Sequence, residues 1–352
     1  MWVEVFTSPA LCGTLRAMKA VVKPVSDVPA TIYDVAERAD VSPATVSRVL
    51  NGTQPVAPAT EQRVRKAVAE LRFRPSRLGV ALAERKHAAN GIVFPDLSGP
   101  FYTEVVLGYE EMAAERGRSV LILSTRDRED AAQAVLSLAD RVDGMVLFGR
   151  TVSDEVVREV VATGIPVVLL SRPAVPGADV ITTENERSAY ELTEHLLSHG
   201  HRRVVYLGDP NASADAAGRW SGVSKALKQA KRRRLIAPCG ADENAGYTTA
   251  TTLLQSANRP DALVCFNDEV ALGAMLAAEE LGVGVAITGW DDVMAARFAR
   301  PALTTVRQPM RELGALAAAA LDERIAGART ELIHRVLPTE LMIRNSCGGH
   351  SA

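Results

Sequence analysis

From residue 91 onward the chain repeats one pattern: a short uninterrupted apolar run, then an amphipathic stretch of helix length, then another run. The runs are GIVFPD, SVLILST, DGMVLFG and PVVLLS in the first half, and RVVYLGD, ALVCF and VAITGWD in the second. Strands that are apolar on both faces must be covered on both faces, and helical connections between them make the sheet parallel. Two such sets predict two doubly wound lobes. Ligands of open α/β sheets bind beyond the carboxyl ends of the strands, so the residues that follow each run are the place to look for a site.

The stretch ahead of this pattern reads differently. In TIYDVAERADVSPATVSRVLNG (31–52), Thr31 can cap a helix whose apolar face is Ile32, Val35, Ala36 and Ala39. Asp40 and Val41 break the pattern. Ser42 can cap a second helix that starts at Pro43, where proline's missing N–H costs nothing, and that ends at Asn51-Gly52. Val46, Val49 and Leu50 form its inner stripe, and Val64, Ala67, Val68 and Leu71 give a third helix that closes a small core. Thr45, Ser47 and Arg48 remain on the outer face of the second helix, with groups that suit phosphates and base edges. The reading is a three-helix helix-turn-helix head.

Charge divides the same way. Residues 31–86 hold ten Lys/Arg against six Asp/Glu, whereas the chain as a whole carries a formal charge of -2. A basic head on an acidic body fits a nucleic-acid binder whose other domain does something else. The four cysteines have no metal-ligand or redox spacing, and no run approaches the ~18 apolar residues of a membrane span. Arg16, Lys19 and Lys23 interrupt any signal-peptide core, so a cytoplasmic protein with no membrane partner is expected. His195 and His199 have i, i+4 spacing, but they sit at a helix end, and no metal or other cofactor is expected. Phosphate loops, nucleophile elbows and HExxH are absent, which argues against an enzyme and against catalytic residues. A basic run at Lys231 to Arg234 reads either as a solvated helix end, the simpler choice, or as a second nucleic-acid surface.

Residues 31–86 resemble the DNA-binding head and hinge of the LacI/GalR family of bacterial regulators, carried by DVAERADVSPATVSRVLNG and RVRKAVAELRFRPSRLGVALAERK. The landmarks DLSGPFYTEVVLGYEEMAAERG, ELTEHLLSHGHRRVVYLGDP, GRWSGVSKAL, FNDEVALGAMLAAEELG, ITGWDD, PALTTVRQP and LPTELMIRNS extend the likeness to about residue 346. The resemblance implies an α/β chain with a helix-turn-helix head (30–74), a hinge helix and linker (75–88) and a two-lobed, periplasmic-binding-protein-like effector domain (89–346). A disordered extension (1–29) and a tail (347–352) flank them. Lobe one is expected at 89–183 and 309–328 and lobe two at 184–304 and 329–346, with crossings near Thr183, Thr304 to Pro309, and Ala328.

The implied function is a homodimeric transcription factor, usually a repressor, controlled by a small molecule, with sugars the leading class. Its double-stranded DNA partner is a palindromic operator with a central CG step. Pro43, Ala44 and Arg48 would reach base edges, while Tyr33, Thr45, Ser47 and Asn51 mainly position the backbone, with Ser42 also in the DNA-binding set. Arg77 and Leu82 belong to a hinge that folds on DNA, with Leu82 as the wedge in the minor groove. The implied effector contacts are Asp96, Phe101, Tyr102, Ser171, Arg172, Arg219, Asn267, Trp290 and Asp291. Asp268 is read as a helix cap, and Phe101 has core packing as its alternative. Asp40 replaces the family's usual turn glycine and needs a positive φ there. Gly79 costs the hinge helix roughly 0.8–1 kcal/mol relative to alanine. Ala241 stands where relatives often carry an aromatic ring, which leaves the ligand's shape open. A solute-binding transport component would share the body but not the head, and an effector-independent DNA-binding regulator is the other alternative.

Overall fold

The computed structural model describes residues 30–52, 54–73, 87–149 and 151–348. The expected extension at 1–29 and the hinge through residue 86, with Arg77 and Leu82, lie outside them. The chain forms two units, a head and a body.

The head is three helices: α1 (Ile32–Ala39), α2 (Pro43–Asn51) and α3 (Pro58–Glu70). Thr31 and Asp34 cap α1 reciprocally: the Asp34 N–H donates to Thr31 Oγ1, and the Asp34 carboxylate accepts from the Thr31 N–H at 2.6 Å. Asp40 ends α1 at φ 53°, the left-handed turn that the sequence requires of it. Ser42 caps α2 by accepting from the Thr45 N–H at 3.2 Å, Pro43 opens the helix, and Gly52 closes it at φ 64°. Val35, Ala36, Ala39, Val46, Val49, Val64, Ala67 and Phe73 form the buried core of this unit.

The body holds two parallel sheets. The first has the order β11-β5-β4-β3-β1-β2, from β1 (Ala89–Phe94), β2 (Ser119–Ser124), β3 (Gly144–Phe148), β4 (Val167–Leu170), β5 (Asp179–Thr183) and β11 (His334–Leu337). The second has the order β7-β6-β8-β9, from β6 (Val204–Leu207), β7 (Leu235–Ala237), β8 (Ala262–Cys265) and β9 (Ala286–Thr288). Alternate residues of each strand feed separate cores on the two faces: Val93, Met145, Leu147 and Leu169 on one side of the first sheet, Ile92, Phe94, Val146 and Leu170 on the other. That two-residue period is why the sequence shows continuous apolar runs.

The covering helices are α4 (Pro100–Glu115), α5 (Ala131–Ala139), α6 (Asp154–Ala162) and α12 (Met310–Ile325) in the first lobe. In the second they are α7 (Glu186–Ser198), α8 (Ala214–Gln229), α9 (Glu243–Gln255) and α10 (Asp268–Leu281), with short α11 (Met294–Phe298) beside them. Helices α4 and α12 meet backbone to backbone. A Cβ on Gly108 would stand 2.0 Å from the Arg311 carbonyl oxygen, and one on Gly314 would stand 2.0 Å from that of Val105. Gly246 and Gly273 make the same reciprocal approach between α9 and α10, at 2.3 and 2.0 Å.

The chain leaves the first sheet after Thr183 and returns through β10 (Thr305–Arg307) to α12. The third crossing falls between Leu337 and Glu340 rather than near Ala328. After α12 the chain first lays β11 parallel to β5, with His334 opposite Val180 and Leu337 opposite Thr183. It then forms β12 (Glu340–Met342), antiparallel to β10. Residues 329–337 therefore belong to the first lobe. Three of the four β11 residues are exposed, so this edge strand carries no apolar run by which sequence could detect it. Cys347 is a second correction: expected in a loose tail, it is fully buried in the second lobe, 3.2 Å from His195 Nε2 and from Thr304 Oγ1.

Candidate functional site

In the head, the outer surface is built by α2. Its Ala44 and Arg48 are exposed, Pro43, Thr45 and Ser47 are half-buried, and the exposed Ser42 hydroxyl lies 3.0 Å from that of Thr45. Asn51 is the last residue of α2, and Tyr33 on α1 is 71% exposed, far more than packing would leave an aromatic ring. The orphan N–H groups at the start of α2 and the Arg48 guanidinium are both suited to phosphate and base edges.

In the body, strand order reverses between β1 and β3 in one sheet and between β6 and β8 in the other. Such switch points open a crevice at the carboxyl ends of the strands. Those ends meet across the lobes: Ser171, after β4, lies near enough to Asp215 of α8 to lower its carboxyl, and a Cβ on Gly99 would stand 2.8 Å from Glu269 Oε1 of α10.

Arg219 sits at the centre, 4% exposed, with its guanidinium carbon 4.7 Å from the Phe266 ring centroid and 4.5 Å from that of Trp290. It donates from Nε to Asn185 Oδ1 at 2.9 Å and from Nη1 to the Phe266 carbonyl at 2.6 Å. The Asn185 amide in turn donates to Asp215 at 3.1 Å. Asp291 accepts from Gln308 Nε2 at 2.5 Å, and Gln308 Oε1 accepts from the Thr183 hydroxyl at 2.7 Å, which ties the first crossing segment to the second. Burial pushes the Asp291 carboxyl well above the ordinary carboxylate range, with Arg219 opposing. Loss of hydration likewise raises Asp215 and Glu269. Glu269 Oε2 and Trp290 Nε1 are buried without a hydrogen-bond partner among the described residues. Backbone strain marks both sides of the crevice, at Ser171 (φ 52°) and Asp291 (φ 118°).

The remaining predicted residues divide. Phe101 and Tyr102 join Phe94 and Phe148 in an aromatic cluster, with Tyr102 and Phe148 5.4 Å apart. Burial raises the Tyr102 hydroxyl, and the carboxylates of Asp291, Asp96, Asp215 and Glu269 raise it further, so this ring faces the second lobe's acids. Asp96 is spent on Ser98 and on Arg126, at 2.7 Å each. Arg172 is buried, donates to Asp154 at 2.6 Å, and leaves Nε and Nη1 without a partner among the described residues. Both residues line a cavity of about 450 Å³ with Val152, Ser153 and Pro173. Asn267, not Asp268, caps α10: its Oδ1 accepts from the Val270 N–H at 2.9 Å while its amide donates to the Ala241 carbonyl. Asp268 turns inward to the Thr305 hydroxyl at 2.6 Å and the Val293 N–H at 2.9 Å, and burial pushes its carboxyl up to about 7.

Sequence reasoning missed Asn185, Asp215, Phe266, Glu269 and Gln308. The NDE triplet after ALVCF could have offered Glu269, and the i, i+4 spacing of Asp215 and Arg219 on α8 could have offered Asp215, but nothing local links the other three to Arg219. Among the described residues no group of His, Cys, Asp and Glu is arranged to hold a metal, and no helix is long and apolar enough to cross a membrane.

Residues 31–76 match the model of bacterial regulatory proteins of the lacI family. Residues 87–340 match that of periplasmic binding proteins and the sugar binding domain of the LacI family. The chain belongs to the LacI family. It is 33% identical to the HTH-type transcriptional regulator DegA of Bacillus subtilis (strain 168), over 90% of this chain and 97% of the relative. Among solved structures it is similar to the lac repressor dimer bound to operator and the anti-inducer ONPF, with a TM-score of 0.82 and 29% identity over 91% of this chain and 99% of that one. It is also similar to a complex of the transcriptional regulator CelR with cellobiose (TM-score 0.68, 29% identity, 90% and 99% covered). As a LacI-family chain it is a DNA-binding transcriptional regulator, not an enzyme.

Proposed function

We propose that two copies of this chain bind a palindromic operator in the cytoplasm and repress transcription, and that a polyhydroxylated small molecule held between the lobes changes operator affinity. The observation that carries the effector reading is the polar group at the crevice. Arg219 is clamped between two aromatic rings, Asp291 and Glu269 hold carboxyls that burial keeps above their ordinary range, and Glu269 Oε2 has no partner among the described residues. A sugar brings several hydroxyls that donate and accept at once, and its C–H faces suit Phe266, Trp290 and the Phe101–Tyr102 rings. The relatives' sugar binding domain and the cellobiose of CelR support that class. We assign operator contact to Tyr33, Ser42, Pro43, Ala44, Thr45, Ser47, Arg48 and Asn51, with Arg48 the base reader.

A thermal-shift screen over sugars, sugar phosphates and nucleobases identifies the effector, and operator titrations with and without it test the coupling. Asp291→Asn keeps the size, tolerates the positive φ better than most residues, and exchanges an acceptor for a donor. The variant should bind operator as the unsubstituted protein does and lose its response to the effector. A full response would remove Asp291 from the site, and lost operator binding would give it a structural role. A ligand shifts operator affinity only by its differential affinity for two lobe arrangements.

A further inference from the structure

We propose that the far pole of the second lobe, away from the crevice, is a second binding surface for duplex nucleic acid. The strands of this lobe point their carboxyl ends at the crevice, so their amino ends converge on the opposite face. Lys231 to Arg234 lead directly into β7 and are all exposed. The parallel register sets Val205 opposite Leu235 and Val204 opposite Ala262, so Arg202 and Arg203 enter β6, Arg233 and Arg234 enter β7, and Arg259 precedes β8, all at the amino ends of adjacent strands. A sequence run and two separate segments thus deliver arginines to one edge of three adjacent strands.

These cations are unspent. Many arginines elsewhere in the body are paired with carboxylates, as Arg118 with Asp143 and Arg329 with Asp179, and others, such as Arg219 and Arg300, are spent on carbonyl oxygens. None of the arginines at this pole is within ion-pair distance of a carboxylate among the described residues. Asp261, which lies between them, uses its two oxygens on the backbone N–H groups of Arg202 and Arg203, at 2.8 and 2.9 Å. Among the described residues Arg203 Nε is buried with no hydrogen-bond partner, and Arg234 reaches only the Ser224 hydroxyl, at 3.3 Å.

The helix dipole accounts for Lys228 and Lys231, which sit at the carboxyl end of α8. It does not account for arginines at strand beginnings. Placing like charges side by side with no anion costs free energy that a phosphate backbone would offset, and guanidinium is the group that reads phosphate in bidentate fashion. Strand ends stand about 4.8 Å apart, so three of them span roughly 10 Å, wider than one phosphate and suited to a continuous polyanion. Duplex DNA, with a charge every ~1.7 Å of axis, is such a polyanion. A regulator whose heads are seated on an operator could then hold another duplex segment at this pole.

The test uses the full chain saturated with unlabelled operator, selected from a randomised pool so that the heads are occupied. A fluorescein-labelled duplex of about 30 base pairs without operator sequence is then titrated at about 50 mM salt and read by anisotropy. The unsubstituted protein should capture it, with an affinity that falls steeply as salt rises. The triple variant R232S/R233S/R234S should lose about tenfold or more of that capture and lower the salt slope by between two and three, roughly 0.9 per contact removed, with operator affinity unchanged. No capture by the unsubstituted protein, or undiminished capture by the variant, overturns the proposal. So does tighter binding of labelled polyglutamate than of duplex at equal charge, which would assign the surface to an acidic polypeptide.

Discussion

The Asp40 backbone stands at φ 53° and ψ 57°, where a Cβ crowds the next carbonyl. The left-handed conformation costs about 1–2 kcal/mol for an ordinary residue, and aspartate falls at the low end or below. Asp40→Gly relieves that strain but adds about 0.5–1 kcal/mol of unfolded-state entropy. The two nearly offset, so the net gain should stay under about 1 kcal/mol. Hydrogen exchange of the α1 to α3 amides should slow slightly, and faster exchange would show that Asp40 makes a contact glycine cannot. At Arg48 the consequence is recognition rather than stability. Its side chain is exposed on α2, and a bidentate contact to guanine is worth about 1–3 kcal/mol of discrimination. Arg48→Ala should therefore relax one base pair per half-site in a randomised-operator selection, with the other positions unaltered. An unchanged preference would remove Arg48 from the set that reads bases.

At the scale of elements, the helix pair α4 and α12 depends on glycine at two facing positions. Neither obstacle is the movable end of a side chain: Gly108 faces the Arg311 carbonyl and Gly314 that of Val105. Overpacking usually costs about 1–3 kcal/mol, and with backbone on both sides the upper end applies. Gly314→Ala should lower the thermal midpoint of the body by several degrees, whereas Gly117→Ala, with open space around it, would report only its φ of 68°. An unchanged midpoint in Gly314→Ala would mean the helices separate easily. This close approach is invisible in the sequence, where Gly314 is one small residue among alanines. The apolar runs announced β1, β3, β4, β6, β8 and β9 because those strands are buried on both faces, and β2 by an apolar run that an edge strand only half buries. β11 is mostly exposed, and β7 and β10 have three residues each that, unlike the three of β9, are not all buried. The site divided similarly. Arg219 and Asp291 follow from the landmarks that surround them, while Asn185 and Gln308 gain meaning only when separate segments meet. The Asn267–Asp268 pair shows the limit of capping rules: both residue types can cap, and only the inward hydrogen bonds of Asp268 decide between them.

For the whole molecule, the crossings act as one hinge, with Glu184 N–H donating to the Leu337 carbonyl at 2.8 Å and the Ser188 and Thr339 hydroxyls 2.8 Å apart. The carboxyls around that hinge link its stability to pH. Burial raises Asp268 from 3.8 to about 7, and loss of hydration also raises Asp291, Glu269 and Asp215. These groups hold protons in the folded chain that they would release on unfolding. The stability this confers is fully present below the ordinary carboxylate range and is lost as pH rises through the folded values, near 7 for Asp268. For Asp268 alone the loss is on the order of 4 kcal/mol at about 1.4 kcal/mol per pH unit. Asp292 runs the other way. Burial would raise it, but Arg344, Arg307 and Arg297 hold it below 3.8, so its contribution is lost only under strongly acid conditions and does not cancel the first. The thermal midpoint of the body should therefore rise as pH falls from about 8 to about 6. Glu269→Gln keeps the side chain's size while removing one of the protons in question, and Glu269 Oε2 has no partner among the described residues for an amide to offend. The variant should melt higher than the unsubstituted protein at the alkaline end and show a shallower dependence on pH. Equal slopes would place the linkage on other carboxyls, and a lower alkaline midpoint would mean that the ionised Glu269 holds the lobes together.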